Sequence, residues 1–133
     1  MQAFRDFTPV ERAILAGRAR QLYALKHPET ARGHLGISQP RTVDSPKTFK
    51  VWASEVFSIS SPMLYRSTAT FNDLGEPMLR DLINTNLNAI SHLQRLRKLT
   101  PRLRYNYIRQ NAQAREKSRT YLTDINDYLW SRA

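Results

Sequence analysis

Apolar residues along the chain recur at spacings of three and four, the period of a helix packed on one face, and the segments between them carry helix start and stop signals. The pattern predicts an all-α fold. Thr8-Pro9-Val10-Glu11 has the form of a capping box with proline at the first helical position, and it predicts a first helix over 8–27, ending before Pro28. Ile14, Leu15, Ala19, Leu22 and Leu25 fall on one side of that helix.

Residues 28–47 break the pattern. They hold two of the four glycines and three of the seven prolines, and they read as a basic loop containing Arg32, Arg41 and Lys47. Two helices joined by a tight turn are expected over 48–71, with the turn at Ser58–Ser60 and the second helix opened by Ser61-Pro62. Supporting helices are expected over 74–99. Glu76-Pro77 stands in the first turn of one, Asn84–Asn88 forms a polar stop, and Ser91 caps the next. Thr100-Pro101 repeats the helix-start signal. Leu103, Tyr107, Ala114, Tyr121, Leu122, Ile125, Tyr128 and Leu129 then stay within about 120° of arc at 100° per residue, which predicts one long basic C-terminal helix over 100–131. The 133 residues suit a single helical domain over 1–133.

Charge narrows the function. Lys and Arg number 21 against 11 Asp and Glu, a net charge of +10 with an isoelectric point near 10.5. Such a surface suits nucleic acid or an anionic membrane. Arginine outnumbers lysine, and its forked guanidinium matches phosphate and guanine, which favours nucleic acid. Between Arg95 and Arg119 only Glu116 opposes a dense run of basic residues. There is no cysteine, no apolar run long enough for a membrane span and no apolar signal-peptide region in MQAFRDFTPVER, so a cytoplasmic, nucleoid-associated location is expected.

The segment Trp52–Arg66 has the residue pattern of a helix-turn-helix. Ala53 is small where the two helices touch, Phe57 and Ile59 flank the turn, and Leu64 points inward. Ser58 stands where glycine is usual, and Ser54 is a second small position. Ser60, Ser61, Tyr65 and Arg66 then face outward at the start of the recognition helix, where hydroxyls bond phosphate, Arg66 takes guanine or phosphate, and Tyr65 meets phosphate or a thymine methyl. Phosphate contacts are expected from Arg41, Lys47, Lys50, Arg95, Arg97, Lys98, Arg102 and Arg104. Trp52 reads as a core residue, and Tyr105 as the best candidate for base stacking.

The order of segments resembles the DNA-binding region of ParB-like partition proteins, including their plasmid KorB-like branch. Ala24-Leu25-Lys26-His27-Pro28-Glu29-Thr30 is similar to their "LHPET" stretch, Phe57–Arg66 to their helix-turn-helix, and Ile90–Pro101 to their "LSHARALAKLPP" segment. The likeness spans about residues 8–105. It implies sequence-directed binding of duplex DNA in plasmid or phage partition, copy control or transcriptional repression, often as a dimer. The arginine-rich nucleotide-binding motif of that family's N-terminal domain is missing, so CTP hydrolysis, DNA sliding and nuclease activity are not implied. A stand-alone relative and an excised fragment are both compatible with this.

No catalytic motif, phosphate-binding loop or metal-ligand spacing is present, and His27, His34 and His92 are scattered. No enzyme activity, cofactor, metal or small-molecule substrate is therefore expected. The expected partners are duplex DNA and a second copy of the chain, joined through the C-terminal helix. Two further readings are open: an RNA-binding or structural component of a ribosome or phage particle, and a protein-interaction adaptor docking through the long helix.

Overall fold

The computed structural model describes residues 3–27, 48–114 and 122–132, with the side chains of 122–124 and 132 left out. Its helices are α1 (Pro9–Lys26), α2 (Phe49–Phe57), α3 (Ser61–Leu74), α4 (Glu76–Leu82), α5 (Ile90–Lys98), α6 (Pro101–Asn111) and α7 (Leu122–Arg132), preceded by a 3-10 turn at Phe4–Asp6. The fold is all-α, as the periodicity predicts.

α1 is the centre. Its start is the expected capping box: the Glu11 amide donates to Thr8 Oγ1 at 3.4 Å and the Thr8 amide donates to Glu11 Oε1 at 3.2 Å. Asn88, in the α4–α5 connection, closes the same end. Its Oδ1 accepts from the Val10 amide at 2.9 Å, and its Nδ2 donates to Thr8 Oγ1 at 2.8 Å and the Ile83 carbonyl at 3.0 Å. From Val10 to Gly17 every residue but Arg12 is buried, so this half of α1 is enclosed on nearly all sides rather than along one stripe. The expected one-sided stripe fails at its far end, where Leu25 is exposed and Tyr23 is buried instead. Small residues make the enclosure possible. A Cβ on Gly17 would fall 2.1 Å from the Phe71 ring of α3, so α1 and α3 cross where one of them has no side chain.

α2, α3, α4 and α7 all pack on α1, and α5 packs on α3. Aromatic rings fix α2 and α7 in place. Phe57 stacks on Phe4 at 5.0 Å and meets Tyr128 at 5.8 Å, Tyr128 meets Phe7 edge-on at 5.3 Å, and Trp52 lies 5.2 Å from Tyr23. Trp52 is thus a packing residue, as expected. A polar clip adds α4. Arg18 grips Glu76 with Nε at 2.7 Å from Oε1 and Nη2 at 3.1 Å from Oε2, while its Nη1 donates to Asn126 Oδ1 of α7 at 2.7 Å.

The expected long helix over 100–131 is corrected. α6 stops at Asn111 and Ala112 is extended (φ −72°, ψ 132°). The cause is a clasp from the α4–α5 connection: the Asn86 amide donates to the Gln113 carbonyl at 3.0 Å, the Gln113 amide donates to Asn86 Oδ1 at 2.6 Å, and Asn86 Nδ2 donates to the Asn111 carbonyl at 3.0 Å. At Ala112 and Gln113 these bonds take the place of continued helix. Ile125, Tyr128 and Leu129 of α7 are buried in the chain's own core, each such side chain contributing roughly 1.5–3 kcal/mol. α5 likewise begins at Ile90 with Ala89 as N-cap, so Ser91 lies inside the first turn and is not the expected cap.

Gly17→Ala should lower stability by roughly 1–3 kcal/mol, because Phe71 must leave its seat to admit a methyl group; urea denaturation measures it. The Arg18 hydrogen bonds outweigh burial at Glu76 and hold its carboxyl below the usual glutamate range. A folded-state value below the unfolded one makes the clip's contribution full above about pH 4.3 and lost as pH falls through the lower folded value. Glu76→Gln should therefore cost roughly 1–3 kcal/mol at pH 7, and the gap to the parent protein should close in melts taken below about pH 4.

Candidate nucleic-acid interface

The turn between α2 and α3 is the expected helix-turn-helix turn, built without glycine. Ser58 adopts the left-handed conformation (φ 54°, ψ 48°). Its amide donates to the Glu55 carbonyl at 3.3 Å, and the Ile59 amide donates to the Ser54 carbonyl at 3.1 Å. These two bonds are the Schellman arrangement, completed by a buried Ile59. Ser60 then caps α3, accepting from the Met63 amide at 3.3 Å. Ala53, Phe57, Ile59 and Leu64 are buried in the positions expected of them.

α3 is held by α1, α2, α4 and α5, yet one face stays open. Leu64, Ser67, Thr68, Thr70 and Leu74 are buried, while Pro62, Tyr65, Arg66, Asn72 and Asp73 are exposed. The buried hydroxyls are satisfied locally: Ser67 donates to the Met63 carbonyl, Thr68 to those of Leu64 and Tyr65, and Thr70 to that of Arg66, at 2.7–3.1 Å. A helix rich in Ser and Thr can therefore sit inward. Its outer face near the start is dominated by Tyr65, which is 72% exposed, and Arg66. Ser60 is exposed with its hydroxyl engaged in the cap, and Ser61 is half-buried.

The predicted phosphate contacts divide. Lys50, Arg95, Lys98 and Arg102 are exposed, Arg95 with its guanidinium 5.9 Å over the Tyr107 ring. Arg97 is tied to Asp73 at 2.8 Å. Arg104 is spent inside the fold, donating to the carbonyls of Leu96 at 2.9 Å, Asp73 at 2.8 Å and Arg97 at 3.4 Å, where it closes the C-terminal ends of α3 and α5. Its expected phosphate role gives way to this capping role. Arg41 and Lys47 lie outside the described residues. Tyr105 is exposed, whereas Tyr107 is half-buried with its hydroxyl 2.7 Å from His92 Nδ1.

Two structural features of this surface had no signal in the sequence. One is Arg12, half-buried beside Arg66. Its Nη1 donates to the carbonyls of Arg5 at 3.3 Å and Phe7 at 3.2 Å. Burial, and then the charge of Arg66, push its pKa down from the usual arginine range. The other is a groove of about 580 Å³ between α1, α2 and α3, with Arg20 and Lys50 on its rim and Phe49, Leu64 and Tyr65 among its walls. Among the described residues no group of His, Asp or Glu is arranged to hold a metal ion. No helix among them is long and apolar enough to cross a membrane.

No protein-family model, no curated protein and no solved structure matches this chain.

Replacing Ser58 with glycine should raise stability by about 0.5–1 kcal/mol, since it removes the left-handed strain at a modest entropic cost. Thermal melts of the two proteins would measure the difference.

Proposed function

We propose that this protein binds duplex DNA through the helix-turn-helix α2–α3, with the start of α3 presented to the major groove. The observation that carries the reading is the open face of α3. A recognition helix must be anchored from behind and bare in front. α3 is packed by four helices and still exposes Tyr65 and Arg66 one turn from its N-terminus. Arg95, Lys98 and Arg102 supply exposed positive charge on the neighbouring helices for sequence-independent phosphate attraction. The ParB-like order of segments supports a role in partition, copy control or repression at a plasmid, phage or chromosomal site, with the protein associated with the nucleoid. A second copy would meet α7 on its outer side, where Trp130 is exposed, because the described apolar side chains of its inner side already belong to the core.

The test is selection from a pool of random duplex DNA at near-physiological salt, followed by sequencing of what is retained. The expected outcome is an enriched motif, and a palindrome if two copies bind together. On that motif Tyr65→Ala should cost about 1–3 kcal/mol and much less on random duplex. Arg102→Ala should weaken both about equally and lower the salt slope by about one. Retention without enrichment, lost as salt rises, would sink the sequence-reading role and favour an RNA-binding or assembly component.

A further inference from the structure

A small cleft lies between α1, α3 and α5. Its lining includes Arg12, Arg66, Ser67, Thr70, Ile90 and Gln94. Two arginines thus line one cleft, Arg12 half-buried and close enough to feel the charge of Arg66. Among the described residues no ion pair neutralises either of them. Such an arrangement raises the energy of the fold unless something negative joins it, and a bridging oxyanion with two charge-assisted donors is the remedy that guanidinium geometry favours.

The rest of the lining agrees. Gln94 brings an exposed side-chain amide to the same lining. α5 borders the cleft along one flank through Ile90, Leu93 and Gln94, and its N-cap, Ala89, provides no side-chain cap. The cleft measures about 40 Å³, far below the roughly 300 Å³ of a small-molecule pocket and suited to the inner oxygens of a single phosphate group.

We propose that Arg12 and Arg66 form a phosphate-binding site in the cleft between α1, α3 and α5. The site stands on its own geometry, and it rests on the DNA-binding reading only in taking the phosphate from a nucleic-acid backbone. It gives Arg66 a positioning role on the duplex and leaves base contact to Tyr65. Arg12 is pre-positioned for it, because the Arg5 and Phe7 carbonyls hold one end of its guanidinium.

Inorganic phosphate is the probe, titrated into the full chain and followed through backbone amide signals. Saturable shifts should appear at Ile90, Ser91 and Gln94, and Arg66→Gln should weaken them by about tenfold, the loss of one charge-assisted bond. Arg66 is exposed and its side chain is not bonded to any described residue, so this variant keeps its structure. Arg12→Gln should act in the same direction. On duplex DNA, Arg66→Gln should lower the salt slope by about one and weaken all sequences alike. Phosphate binding by a chain that ignores duplex DNA would keep the site, assign it to a free phosphate or phosphorylated ligand, and remove the DNA reading. Duplex selectivity with no phosphate shifts, and a salt slope that Arg66→Gln leaves unchanged, would remove the site and keep the DNA reading. Shifts equal in the parent and both variants would overturn the site outright.

Discussion

The close crossing of α1 over α3 at Gly17 is the constraint on which the architecture depends. α3 can leave one face open only because its other faces are anchored, and α1 is the largest of its anchors. Their approach is limited by the Phe71 ring, which occupies the space where any other residue at 17 would place its Cβ. With the two axes this close, Val10, Ala13, Ile14 and Ala16 are shut off from solvent, and the surfaces left around α1 accept α2, α4 and α7. A side chain at 17 would push α3 outward and carry with it the turn that orients Tyr65 and Arg66.

The positive charge of this protein serves two purposes, and only the structure separates them. Arg18 and Arg104 are bolts. The first joins three helices through Glu76 and Asn126, and the second ends two helices by binding their last carbonyls. Arg97 holds Asp73, the one acid on the open side of α3. Among the described residues, Lys50, Arg66, Arg95, Lys98 and Arg102 are turned outward on α2, α3, α5 and α6, and Arg20, Lys26, Arg80 and Arg109 are exposed as well. Net charge counts both kinds alike, although Arg18, Arg97 and Arg104 are committed within the fold.

Local chemistry was legible in the sequence, and tertiary chemistry was not. Thr8 and Glu11 announce the start of α1, the turn falls at Ser58–Ser60 and α3 opens at Ser61-Pro62 as expected, and the residues flanking Ser58 are buried as the pattern requires. Each of these depends on neighbours within four positions. The C-terminal half misled because phase coherence does not require continuity. Tyr107 and Tyr128 fall in register at 100° per residue, yet they belong to different helices, separated by a clasp in which Asn86 bonds residues 25 and 27 positions away. The roles of Gly17, Arg12 and Asn88 carried no local signal, since their partners lie on other elements.

The contacts that complete α1 span nearly the whole chain. Thr8 meets Asn88, 80 positions on, Arg18 meets Asn126, 108 positions on, and Phe7 meets Tyr128. Most helical proteins assemble quickly because their contacts are close in sequence. Here α1 is finished by residues far along the chain: its N-terminal end is closed by Asn88 and its flank by α7. Closing these long loops adds an entropic cost to assembly that helix formation alone does not carry.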